Sequence, residues 1–151
     1  MKRLFVVVLV ALFFTGMAGL SLASGTQDEA KAMVESAIAF MKANGKEKTI
    51  AEINNPKGKF VKGEIYVNVH GLDGTMLAHP INQKLVGKNL LEVPDPDGKF
   101  FRKDVMETAK TKPAGGWVDY KYKNPTSGKI EQKTSFVKKA DDLVFVCGIY
   151  K

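Results

Sequence analysis

The chain holds two histidines, His70 and His79, both inside the short stretch HGLDGTMLAHP. A zinc site needs about four ligands at short spacings, typically with H-x-x-x-H or H-E-x-x-H pairs. Two histidines nine residues apart do not meet that requirement. Asp73, Asp95 and Asp97 stand in Asp-Gly and Pro-Asp-Gly contexts, which are turn chemistry before they are calcium ligands, and the EF-hand loop pattern is missing. No metal and no cofactor are expected. Nucleophilic catalysis lacks material too. There is no G-x-S-x-G, and Cys147 lies within VFVCGI, where apolar neighbours leave a thiol little activated. Asp119 and Glu131 read as solvated strand carboxylates rather than an acid–base pair. The chain is expected not to be an enzyme; a small hydrolase or lyase would need two titratable groups within hydrogen-bond reach in one pocket.

Binding of a small anion fits the residues better. Val118, Tyr120 and Tyr122 alternate along one run, and Lys133, Ser135 and Val137 along the next, so each set shares a strand face. Pairing Lys121 with Lys133 would oppose two like charges. Pairing Tyr122 with Lys133 brings the tyrosines, Lys133 and Ser135 to one face and is preferred, although a Lys123–Glu131 pair would favour the other register. A carboxylate on that face would receive charge-assisted hydrogen bonds away from water. Each residue has a plainer alternative. Lys133 can be a solvated strand lysine, and Tyr120 and Tyr122 can be sheet packing. Trp117 can be a pocket wall or core, and His79 can bind a loop carbonyl. His70, at a strand end before Gly71, reads as exposed.

The elements that must carry these residues follow from periodicity. Ala30, Met33, Val34, Ala37, Ile38 and Met41 recur at helical spacing, which predicts a helix over 26–44, with Thr26 and Glu29 at capping-box spacing and Asn44-Gly45 as the stop. A shorter helix is expected over 47–53. Ile65, Val67 and Val69 then alternate with Tyr66, Asn68 and His70, so 64–79 reads as a hairpin turning at Gly71-Leu72-Asp73-Gly74. Residues 80–100 are rich in turn signals, with a helical turn near 83–86. Residues 101–110 can form a helix. Strands follow over 117–123, 130–139 and 143–150. The order predicts an α+β domain: a five-stranded, mainly antiparallel sheet with the long first helix on one face.

The runs GLDGTMLAHPINQKLVGKNLLEVPDPDGKFF, GGWVDYKYKNPTSGKIEQKTSFVKK and FVCGIY occur in an order that resembles the single Cache domain, type 2, over most of the chain beyond residue 23. The resemblance implies a PAS-like sheet, an extracytoplasmic sensor role and a pocket for small organic acids such as acetate, propionate or pyruvate, without catalysis. It places the family's histidine on His79, its strand aromatics on Tyr120 and Tyr122, and its basic residue on Lys133. Phe101 or Trp117 would supply an apolar wall. Two positions depart from the family pattern: Phe136, commonly tyrosine, and the segment around Asp142-Leu143, which replaces a tryptophan often found before the last strand.

Met1-Lys2-Arg3, the apolar run 4–14 and Ser21-Leu22-Ala23 read as a signal peptide, residues 1–23, cleaved after Ala23; a retained anchor is the alternative. The domain is then 24–151, periplasmic or secreted. The formal net charge of +7 drops by two with Lys2 and Arg3, and the remaining lysines are dispersed, so nucleic acid is not an expected partner. The lone Cys147 excludes an intrachain disulfide. The leading expectation is a C2–C4 carboxylate-binding domain without its own transmembrane output, as monomer or homodimer through the N-terminal helix, presenting ligand to a separate membrane sensor. The competing expectation is an interaction module with a degenerate pocket.

Overall fold

Thr26 caps the first helix through a reciprocal pair: its Oγ1 accepts from the Glu29 N–H at 3.2 Å, and its own N–H donates to Glu29 Oε2 at 2.9 Å. The computed structural model describes residues 25–151; the expected leader, 1–23, lies outside them. Helix α1 runs Gln27–Asn44 and buries Ala30, Val34, Ala37, Ile38 and Met41. Gly45, with φ of 86°, ends it, and α2 (Lys46–Asn54) begins at once.

The strands are β1 (Val61–Lys62), β2 (Ile65–Gly71), β3 (Met76–Ala78), β4 (Gly116–Lys123), β5 (Ile130–Ala140) and β6 (Leu143–Tyr150). They form an antiparallel sheet in the order β1-β2-β6-β5-β4, with β3 also on β2. This is the expected α+β architecture. The two-residue edge strand β1 is an addition to the five strands read from alternation, too short to give a periodic signal.

Strand alternation divides the sheet into two faces. Val67, Val69, Phe136, Leu143, Phe145 and Cys147 pack beneath α1. On the opposite face, Val118, Tyr120, Val137, Val144 and Val146 pack beneath α3 (Phe101–Thr111), which contributes Phe101, Val105 and Ala109. β6 is buried along its whole length, so its sequence LVFVCGIY runs apolar without alternation.

The β4–β5 register corrects one expectation. Tyr120, not Tyr122, lies opposite Lys133, and Tyr122 faces Glu131. The shift is two residues, so the tyrosines, Lys133 and Ser135 still share a face. Pairing extends out to Lys123–Ile130 because Asn124 builds a tight turn: its N–H donates to the Lys129 carbonyl and its Oδ1 accepts from Thr126 N–H at 2.8 Å.

Between β3 and α3 the chain crosses the α3-side face as a strap. A 3₁₀ turn at Gln83–Leu85 opens it. Asp95 then fixes it: its carboxylate accepts from the N–H groups of Asp97, Lys99 and, on β4, Lys121, each at 2.9 Å. The Glu92–Lys103 ion pair, 2.8 Å, ties the strap to α3.

Candidate functional site

Lys133 sits mid-strand on β5, between Tyr120 of β4 and Tyr150 of β6. Its aliphatic stem passes over Gly148, where an added Cβ would lie 2.6 Å from Lys133 Cε and 2.1 Å from Ser135 Oγ. Nζ donates to the hydroxyls of Tyr66 at 3.1 Å and Tyr150 at 3.2 Å and lies 4.2 Å and 4.5 Å above their ring centres. The side chain is 2% exposed, and no carboxylate among the described residues pairs with it. Burial pulls its pKa down to about 7, and burial raises the Tyr66 phenol. The cage therefore supports the ammonium by direct contact through π faces and phenol oxygens, with Cys147 and the Glu64 carboxylate opposing the effect of burial from farther away.

Arg102 is the second buried cation. It lies on the α3 stripe with Val105 and Ala109, 5% exposed, with its guanidinium 4.3 Å from the Phe101 ring centre. Nη1 donates to the Val93 carbonyl of the strap at 3.2 Å. Among the described residues it has no carboxylate partner either. Burial lowers its pKa, opposed by the adjacent Tyr122 and Tyr120 phenols. A guanidinium stays charged under such a shift, so this face carries an uncompensated positive charge.

His79 directly follows β3 and holds the loop that begins there. Its N–H donates to Asn54 Oδ1 at 2.9 Å, and its ring Nδ1 accepts from the Asn82 N–H at 3.0 Å. An accepting Nδ1 leaves the proton on Nε2. Burial, followed by Lys133, lowers the pKa to about 3, so the ring is neutral near pH 7 and offers one donor. His70 contradicts its expectation of exposure. It is 4% exposed, its Nε2 lies 3.0 Å from Asn68 Oδ1, and burial lowers its pKa to about 4. Its place at a strand end before Gly71 suggests exposure, but the end of β2 is not an end of the sheet's cover. Here β2 is covered on both faces.

His79, Phe101, Tyr120 and Tyr122 line one cavity together with Tyr66, Asn68, His70 and Arg102. Phe101 stacks on Tyr120 with centroids 4.0 Å apart and planes 7° from parallel, and the Tyr120 hydroxyl lies 2.8 Å from Ser135 Oγ. Lys133 stands behind the wall, under Tyr66 and Tyr122. Trp117 does not join the site: it sits on the α1 face, 5.3 Å from the Phe136 ring centre. Phe136 lies on that face as well, so a hydroxyl there would point away from the cavity. The cavity's free volume is about 20 Å³, room for roughly one water molecule. Arg102, Tyr66 and His70 were not expected from sequence as site residues. The signal for Arg102 was its place on the helical stripe 102-105-109; nothing local marked the others.

The model of the family described as single Cache domain 2 matches residues 17–150. The sensor histidine kinase MctS of Rhizobium johnstonii is 36% identical over 83 residues, covering 55% of this chain and 18% of the kinase, so the chain spans only a small part of that relative. Among solved structures, the periplasmic sensor domain of a chemotaxis protein superposes with a TM-score of 0.65 at 25% identity, over 82% of this chain and 88% of that one. A Cache chemosensory domain, solved to give the structural basis for carboxylic acid recognition, superposes with a TM-score of 0.64 at 23% identity, over 82% of this chain and 86% of that one.

Proposed function

The chain belongs to the single Cache domain 2 family, and from that premise we propose that it is an extracytoplasmic sensing module for a small monocarboxylate of two to four carbons. Cache domains bind small ligands and sense signals rather than catalyse. One observation carries the monocarboxylate reading. Arg102 is buried on the cavity wall with a backbone carbonyl as its hydrogen-bond partner and no acid beside it. A buried cation is costly unless paired, and a carboxylate ligand is the natural partner, since a guanidinium can grip it with two parallel hydrogen bonds. Neutral His79 supplies a further donor, and Phe101 and Tyr120 an apolar floor for a short alkyl group.

Lys133 acts from behind the wall, through the Tyr66 hydroxyl and ring. Among the described residues no helix is long and apolar enough to cross a membrane, and signal output is proposed to pass to a sensor kinase or chemoreceptor. Calorimetry with acetate, propionate, pyruvate and butyrate, on protein refolded to strip bound ligand, tests the reading; heatless titrations with every acid would refute it.

The cavity volume of about 20 Å³ supports a second reading, a degenerate pocket in a module that associates through α1. Light scattering decides for it if the protein dimerises and no acid binds.

A further inference from the structure

A separate crevice of about 190 Å³ opens between the strap residues 93–96 and the outer ends of β4 and β5. Its mouth carries Lys121, Lys123 and the exposed side chains of Val93 and Ile130. Phe101, Arg102 and Tyr122 line both this crevice and the small inner cavity, so these three side chains are the partition between them. Another cavity, about 440 Å³ and lined in part by Met106, Ala109 and Lys110 of α3, shares no wall residue with the inner one. It therefore does not lead there.

The partition has two fixed members and one that can move. Phe101 is held by its stack on Tyr120, and Tyr122 packs at 6.0 Å edge-on to both rings. Arg102 has five N–H donors; it makes a 3.2 Å hydrogen bond to the Val93 carbonyl, lies beside the Tyr122 hydroxyl and rests on the Phe101 ring, and none of these partners is an anion. A neutral carbonyl is a weaker acceptor for a guanidinium than a carboxylate. On either side of Val93 the strap is anchored, at Glu92 to Lys103 and at Asp95 to β4. The stretch between anchors can thus release one hydrogen bond without detaching.

We propose that the crevice is the entrance to the acid site and that Arg102 is its gate: an incoming carboxylate docks against Arg102 from the crevice, displaces the Val93 carbonyl and moves with the guanidinium past the partition into the inner cavity, which widens from its free volume of about 20 Å³ to admit it. The proposal rests on the carboxylate reading and adds the route. Lys123 at the mouth, which has no carboxylate partner among the described residues, attracts the anion, while Lys121 is paired with Asp97 at 3.0 Å; the strap reports occupancy because Val93 loses its partner on binding.

Exchange NMR with carbon-13-labelled propionate tests the route on the full described domain. The variants are Ile130→Trp and Pro94→Trp, which fill the crevice from exposed positions and so spare the core. Both association and dissociation rates are expected to fall about tenfold with the dissociation constant unchanged, since a blocked route slows both directions equally. Unchanged rates in both folded variants would overturn the gate and leave the carboxylate reading intact. A rise in dissociation constant carried by dissociation alone would also overturn it, by making the crevice part of the final site. Failure of the unmodified protein to bind propionate, acetate, pyruvate and butyrate alike would overturn both.

Discussion

The ring of His79 accepts a 3.0 Å hydrogen bond at Nδ1 from the N–H of Asn82, three residues on. Pro80 biases His79 toward extended backbone, so the imidazole is positioned from both sides: its own N–H on Asn54 and its ring on the loop. Replacing His79 with alanine is expected to lower stability by about 1–3 kcal/mol, the usual cost of a buried hydrogen bond left unmade, and to weaken acid binding. Chemical denaturation and calorimetry measure the two effects separately.

Arg102→Gln keeps a hydrogen bond to the Val93 carbonyl within reach but removes the charge. Carboxylate affinity is expected to drop by about tenfold or more, the scale of a lost charge-assisted hydrogen bond. A neutral isostere such as propionamide should bind the variant no worse than the unmodified protein. Equal loss for acid and amide would show that Arg102 shapes the cavity without pairing with charge.

Lys133 titrates near pH 7 in the folded protein, against 10.5 for the ordinary amine. Between those values the unfolded chain holds the extra proton, so stability is expected to rise with pH from about 7 to about 10.5. Carboxylate binding favours the charged amine, so affinity should fall by up to about tenfold per pH unit above about 7. Lys133→Met removes an unpaired buried charge. It should leave the melting temperature equal or higher below pH 7, where the charged form is the one buried, and should abolish the pH dependence of binding.

His70 and His79 have pKa values of about 4 and about 3 against an ordinary 6.5. Below 6.5 the unfolded state takes up protons that the folded state refuses, so stability falls as pH drops from about 6.5 toward 4, by up to about 1.4 kcal/mol per unit for each histidine. Urea titrations across that range measure the slope, which His70→Asn should reduce by one histidine's share.

Gly148→Ala places a methyl group 2.1 Å from Ser135 Oγ and 2.6 Å from Lys133 Cε. Crowding of this kind is expected to cost about 1–3 kcal/mol and to displace Lys133 from its tyrosine cage. The displaced amine should titrate closer to its ordinary value, which NMR of the lysine side chain can follow.

Much of the architecture was legible because it rests on local patterns. The helical stripe 30-34-37-38-41 and the Thr26–Glu29 box defined α1, and alternation marked β2, β4 and β5. The face shared by Tyr120, Tyr122, Lys133 and Ser135 was legible for the same reason, since strand parity survives a two-residue slip in register. Trp117 shows the limit: on parity it opposes that face, and only the covering helices decide which face holds the cavity. His70 shows it again, because a polar residue in an alternating run is buried when a second layer covers it.

By itself the sequence determined the order and kind of elements and the residues that share a strand face, because periods of 2 and 3.6 are properties of neighbouring residues. Tertiary structure alone decided which charges are buried and what they meet. Lys133 finds Tyr66 across 67 positions of chain, and Arg102 meets the strap rather than an acid. Those pairings arise from packing α3 and the strap on the sheet. Burial then shifts the pKa values and leaves cations without anions, an electrostatic state that residue spacing does not encode.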